Sequence, residues 1–297
     1  MAVPGLTRAL VERHALGRAD AYDAALLDVA QDHLLYFLAE TGCFEGDQLV
    51  FKGGTSLRKC RLGKEGRFST DLDFAAQDED VVVETCRLID GARVGGFTFG
   101  LETDRGDGRH WRLRVGHEDL GAPNIAASVE FARRPLALAP QTMGFVPLPV
   151  HKSYGFELPA LPVVAEAEAC AEKLSRYRRI ALGRDLYDLN HFAGRRLDEG
   201  LVRRLWVLKV WGDVVDDRRG DRPLEPHDVL RERRPQDFVP DPIGVLTRPV
   251  EIERWETRVR TRFQFLAGLD EDERRWAECN ERHRREIEDT LAALSSG

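Results

Sequence analysis

The pattern of apolar and polar positions changes character near residue 163. Before it, one long segment has helical spacing: residues 20–41 set Ala24, Leu27, Val29, Leu34, Leu35 and Leu38 along one helix, with Gly42 placed to cap it. The other early runs are short. Leu49-Val50-Phe51 reads as the end of a buried strand, and Asp71-Leu72-Asp73-Phe74 alternates polar and apolar as a strand does. Asp78 is an N-cap for a helix over 79–88 that Gly91 ends. Strands are expected at 97–102, 110–115 and 125–131, the first two flanking a hairpin-like turn at Arg105–Arg109.

Residues 133–162 are rich in proline, including Pro147, Pro149, Pro159 and Pro162, and read as a linker with short extended pieces. Beyond Val164 the helical period takes over. Helices are predicted over 165–180, 184–192, 197–213, about 223–235, about 250–268 and 270–294, and Leu201, Leu205, Leu208 and Trp211 form one apolar stripe. The predicted class is α+β. Residues 1–162 form a domain with a small mixed or antiparallel sheet, its linker at 133–162, and residues 163–297 form an α-helical domain.

Totals refine this picture only locally. The 297 residues carry a net charge of -7, which argues against indiscriminate nucleic-acid binding. The charge is uneven, however: Lys52, Arg58, Lys59, Arg61, Lys64 and Arg67 face a single acid, Glu65, over sixteen positions, and a local surplus steers a polyanion to a cleft. The five cysteines are scattered without CxxC spacing, so neither a disulfide framework nor a zinc site is indicated, in keeping with a reducing cytosol. No apolar stretch suits a signal peptide or a membrane span; the expectation is a soluble, cytoplasmic protein.

The chemistry gathers in Val50–Phe74. Gly53 and Gly54 directly follow a strand and precede a helix-compatible run, so the backbone can turn tightly and approach an anion. Asp71 and Asp73 fall on one face of a strand, where like charges call for a cation; an oxygen-only pair suits Mg²⁺ better than zinc. The P-loop pattern GxxxxGK[ST] is absent. The reading is nucleotidyl transfer: Asp71 and Asp73 hold the metal, while Gly53, Gly54 and the Ser56 hydroxyl hold the triphosphate of an NTP.

These residues also carry a resemblance. Gly53-Gly-Thr-Ser-Leu57 followed by Arg67-Phe-Ser-Thr-Asp-Leu-Asp-Phe74, then Ala171-Glu-Lys173-Leu and Arg184-Asp185-Leu-Tyr-Asp188-Leu, resembles the AbiEii/AbiGii-type (MenT-like) nucleotidyltransferases. These are toxins of abortive-infection and type IV toxin–antitoxin systems, within the DNA polymerase β-like superfamily. The likeness covers about 48–74 and 163–192 closely and nothing specific beyond about 197.

The resemblance implies a polymerase β-like nucleotidyltransferase domain whose cleft is closed by the helical domain. It further implies Mg²⁺-dependent transfer of a nucleoside monophosphate from an NTP to the 3′ end of tRNA, and an antitoxin encoded nearby. Lys173 then reaches the triphosphate, Asp188 is a further acid that orients Lys173 or assists the acceptor hydroxyl, and Asp185 supports an arginine. Glu130 competes with Asp188 as the third carboxylate. Ser69, directly before the carboxylates, joins the nucleotide-binding residues and is a candidate for self-modification.

His110, His117, His151 and His191 show no ligand spacing and read as surface or satisfied core residues. The tryptophans at 206, 211, 255 and 276 read as core or interface, and the basic groups Arg203-Arg204, Arg218-Arg219 and Arg258-Arg260-Arg262 as either an RNA-binding face or solvated helix faces. Alternative functions remain a protein hydroxyl or a small molecule as the acceptor, or a degenerate NTP-binding module.

Overall fold

The computed structural model describes residues 5–103, 106–132, 135–221, 223–239 and 249–295. It forms two compact units. The first runs to Pro135 and includes Pro140–Val164; the second takes Leu136–Ala139 and continues from Ala165.

The first unit is built on an eight-stranded mixed sheet ordered β3-β4-β5-β6-β2-β1-β8-β7. Its strands are β1 (Leu49–Lys52), β2 (Asp71–Ala76), β3 (Arg93–Val94), β4 (Phe97–Thr103), β5 (His110–His117), β6 (Ala127–Phe131), β7 (Gln141–Met143) and β8 (Leu161–Val163). β2 runs parallel to β6 and β1 parallel to β8, and the other pairs are antiparallel. Among the described residues its α-helices are α1 (Arg8–His14), α2 (Tyr22–Glu40), α3 (Gly53–Leu57) and α4 (Glu79–Ile89). The Asp78 side chain accepts from the Val81 N–H and caps α4, and Gly42 follows α2 in a left-handed conformation.

Period two makes the central strands two-faced. Phe51, Phe74 and Phe131 line up across β1, β2 and β6, with ring centroids 5.7 and 5.9 Å apart, and are buried. Lys52, Asp73 and Glu130, one residue away on each strand, occupy the opposite face.

The sheet is larger than the sequence suggests. The proline-rich stretch expected to be a linker supplies β7 and β8, and β8 pairs with both β7 and β1. Three-residue strands give almost no periodicity, and their pairing partners are distant in sequence, so local reading finds only extended pieces. The expected turn at Arg105–Arg109 lies partly outside the described residues.

The second unit holds α5 (Glu166–Arg179), α6 (Gly183–Phe192), α7 (Glu199–Val215), α8 (His227–Leu230), α9 (Ile252–Arg262), α10 (Glu271–Ala277) and α11 (Arg284–Ser295). Its core centres on α7, where Val202, Leu205, Trp206 and Val207 are fully buried. Two predicted helices are shorter than expected. Over 223–235 only His227–Leu230 is α-helical, since Pro226 and Pro235 cannot donate to a continuous ladder. The run 270–294 breaks after Ala277, where Cys279 adopts φ +50°. Among the described residues no helix is long and apolar enough to cross a membrane.

One polar cluster lies deep in the first unit. α2 is buried almost all round, and it carries Asp28 and Asp32 inward. Arg58 Nε donates to Asp28 at 2.8 Å, Lys59 Nζ donates to Asp28 at 3.0 Å and to Asp32 at 2.6 Å, and His14 Nε2 lies 2.8 Å from Asp28. Tyr154 donates its hydroxyl hydrogen to Asp32 at 2.6 Å. Burial pushes the Asp28 carboxyl up, but Arg58 and Lys59 outweigh it and hold the group well below the usual aspartate range. Arg58 and Lys59 directly follow α3, so this cluster pins the end of the glycine segment to α2.

Removing Asp28 leaves two buried cations short of their partner. Asp28→Ala is expected to destabilise the fold by about 3–5 kcal/mol, read by denaturant melts. Because the folded-state pKa is lowered, the carboxylate contributes fully above the unfolded value of about 3.9 and loses its contribution as pH falls below that toward the depressed folded value. Asp28→Asn should therefore flatten the acid limb of the stability profile.

Candidate active site

β1 delivers the chain to Lys52 in an extended conformation, and α3 starts at once. Gly53 makes this possible at φ +75°. A Cβ at position 53 would lie 1.8 Å from Asp73 Oδ2, so the glycine both takes the left-handed turn and leaves room for the carboxylate. A Cβ at Gly54 would lie 2.3 Å from the Arg67 guanidinium and 3.2 Å from Ser69 Oγ. The two glycines thus bring the backbone against Asp73 on one side and against Arg67 and Ser69 on the other.

The segment before the carboxylates is clamped from beneath. Buried Gln31 on α2 donates its amide hydrogens to the carbonyls of Ser69 (3.1 Å) and Thr70 (3.2 Å), and buried Thr55 on α3 donates to the Asp71 carbonyl. Asp71 and Asp73 then emerge on one face of β2, both half-buried. Asp71 Oδ1 accepts from Ser128 Oγ at 2.9 Å and Thr70 Oγ1 at 3.1 Å. Asp73 is in register with Lys52 on β1 and Glu130 on β6.

This donor set fits a hard divalent cation. Two same-face carboxylates supply oxygen only, and among the described residues no group of three or more His, Cys, Asp or Glu forms a closed metal cage. A Mg²⁺-type ion takes one or two carboxylates and completes its shell with water and substrate phosphates.

Ser56 sits within α3. It is fully buried, and its hydroxyl donates to the Gly53 carbonyl at 2.9 Å, bracing the glycine turn. Ser69 is buried next to that turn.

The remaining expected residues lie in the second unit and form a centre of their own. Lys173 on α5 is buried, with Nζ 2.7 Å from Asp188 Oδ2 and 3.3 Å from Asp185 Oδ1, both carboxylates on α6. Asp185 also accepts from Arg176 Nε at 2.6 Å. Burial pushes the Asp185 carboxyl up, and Lys173 and Arg176 bring it below its ordinary value. Asp188 thus pairs with Lys173, while Asp185 is shared between Lys173 and Arg176.

The Nucleotidyl transferase AbiEii toxin model, a type IV toxin–antitoxin family, matches residues 36–289. The chain belongs to this AbiEii family. MenT4, a nucleotidyltransferase toxin from Mycobacterium tuberculosis H37Rv, is 72% identical, with a TM-score of 0.95 over 98% of this chain and 100% of its own. JHP933 from Helicobacter pylori is 17% identical, covering 84% of this chain and 93% of its own, at a TM-score of 0.46 that carries no weight here. No curated protein matches the chain. An AbiEii-family transferase of the toxin–antitoxin type is thus what the fold and the motifs belong to.

Gln31, Thr55, Arg67 and Ser128 escape a motif reading of this AbiEii chain. Gln31 left one signal, a polar residue within the apolar helix 20–41. Thr55 and Arg67 stand inside the motif stretch but bear on the site through contacts that only the fold reveals.

The contact at Gly53 gives a direct test. Gly53→Ala should abolish nucleotide transfer, because the methyl group collides with Asp73. Gly46→Ala serves as the control: φ is +60° there too, but nothing lies within 4 Å of the added carbon. It should cost about 1 kcal/mol in a thermal melt and leave transfer intact.

Proposed function

We propose that this AbiEii-family toxin transfers a nucleoside monophosphate from an NTP to the 3′ end of tRNA, with Mg²⁺ as its metal, and so blocks translation. The observation that carries the proposal is the close approach of the Gly53 backbone to Asp73, which brings a phosphate-binding turn and a metal-binding carboxylate together. Asp71 and Asp73 would hold the ion. Once bound, it would offset triphosphate charge, activate the acceptor hydroxyl and stabilise the leaving pyrophosphate.

The protein's own groups set the geometry. Gly53 and Gly54 offer backbone to the triphosphate, and Arg67 stands against Gly54 with a guanidinium that suits phosphate oxygens. Ser128 and Thr70 donate to Asp71 and hold its carboxylate in one orientation. Lys173, aligned by Asp188, is the proposed second contact to the triphosphate. The basic surplus from Lys52 to Arg67 gives a polyanionic acceptor less support than the sequence suggests, because Arg58 and Lys59 are buried against Asp28 and Asp32. An antitoxin encoded nearby is the partner that a type IV system implies. A soluble protein acting in the cytoplasm, where charged tRNA is made, completes the reading.

Incubating the protein with Mg²⁺ and radiolabelled NTPs in the presence of total RNA, protein or small-molecule fractions should place label in RNA, at tRNA 3′ ends. Label confined to protein or small molecules would overturn the tRNA assignment. Asp71→Ala should lower transfer by at least about a hundredfold, the lower range for losing a directly acting group, and relieve growth arrest in cells expressing it.

A further inference from the structure

The sheet face that bears Asp73 continues past Glu130 to a histidine. Lys52, Asp73, Glu130 and His110 are neighbours in register on β1, β2, β6 and β5. His110 opens β5, and the turn before it supplies Asp107. The Asp107 carboxylate accepts from the backbone N–H groups of Arg109 (3.0 Å) and His110 (3.1 Å) and lies 2.7 Å from His110 Nδ1. In the neutral form of the ring, the proton sits on Nδ1, since a carboxylate on that side can only accept.

That assignment leaves the lone pair on Nε2, which faces Glu130 Oε2 at 3.8 Å. The separation is too long for a hydrogen bond. Two acceptors therefore face each other, and this arrangement is relieved when a proton or a hydroxyl hydrogen comes between them. The ring is sheltered, with its side chain 13% exposed, while Glu130 is 39% exposed and open to a substrate. Ser128 Oγ lies 3.4 Å from Glu130 Oε1 and donates to Asp71, linking this corner to the metal-binding pair. Arg112 lies two residues further along β5, and Arg109 is turned away toward Glu79 and the Ala132 carbonyl.

We propose that His110 takes up the proton of the attacking hydroxyl, passed on by Glu130, with Asp107 holding the ring. The proposal rests on the reading of Asp71 and Asp73 as the transfer site. His110 stands two strand spacings, about 10 Å, from Asp73, and Glu130 occupies the strand between. The hydroxyl O–H bond breaks and its proton moves to the Glu130 carboxylate and on to Nε2, giving an imidazolium that Asp107 stabilises. The oxygen electron pair forms the new bond to the α-phosphorus, the α–β phosphoanhydride bond breaks, and pyrophosphate leaves. The donor and relay groups stand on strands, which hold such geometry better than loops.

Chemical rescue tests this. His110→Ala should lower kcat by about 10²–10⁴-fold with little change in the NTP KM, and added imidazole should restore transfer in proportion to its concentration, the more basic imidazoles restoring more. Asp107→Asn should lower kcat less and show no rescue. A His110→Ala protein with native circular dichroism that transfers at the wild-type rate, or that stays inactive at high imidazole, overturns the proposal. If His110→Ala does not fold, Glu130→Gln decides, since it keeps the register but cannot take a proton; wild-type kcat there also overturns it. Failure of the wild-type protein to transfer to any acceptor counts instead against the Asp71/Asp73 reading, and it shows before any variant is made.

Discussion

Asp73 occupies space that any residue but glycine at position 53 would fill. Much of the first unit serves this one contact. β1 must end at Lys52 so that the turn begins opposite Asp73, and the antiparallel pairing of β1 with β2 fixes that register. The phenylalanines behind those strands hold the sheet flat against its core while the polar face stays open. A register slip of one residue would turn both carboxylates into the core and the phenylalanines out of it.

The protein manages charge by two different means. On the sheet face, Asp71, Asp73 and Glu130 stand partly in solvent, with Lys52 in register beside Asp73. In the interior, opposite charges are matched: Asp28 and Asp32 against Arg58 and Lys59, and Asp185 and Asp188 against Lys173 and Arg176. Buried matching of this kind adds little net stability over an apolar core but strongly penalises every arrangement that separates the partners. It defines which conformation of the glycine segment and of the lysine helix is allowed.

Much of this was legible in the sequence wherever the cause was local. Asp78 as a cap, Gly42 as a terminator, the alternation at 71–74 and the helical stripe of α7 all follow from neighbours within a few residues. The misses share a non-local cause. β7 and β8 exist because β1 has a free edge for them, which nothing in residues 133–162 announces. The bond from the Ser56 hydroxyl to the Gly53 carbonyl likewise shows only in the fold. Gln31 matters because α2 lies next to the motif residues in space, and a reading by spacing passes over it.

The match to the family model begins at residue 36, inside α2, while the residues of that helix that hold the glycine segment and the backbone ahead of Asp71 are Asp28, Gln31 and Asp32. The boundary of that match and the boundary of the folding unit therefore differ. A fragment trimmed to the region of recognisable kinship would keep every motif residue and still lose the acids that Arg58 and Lys59 require.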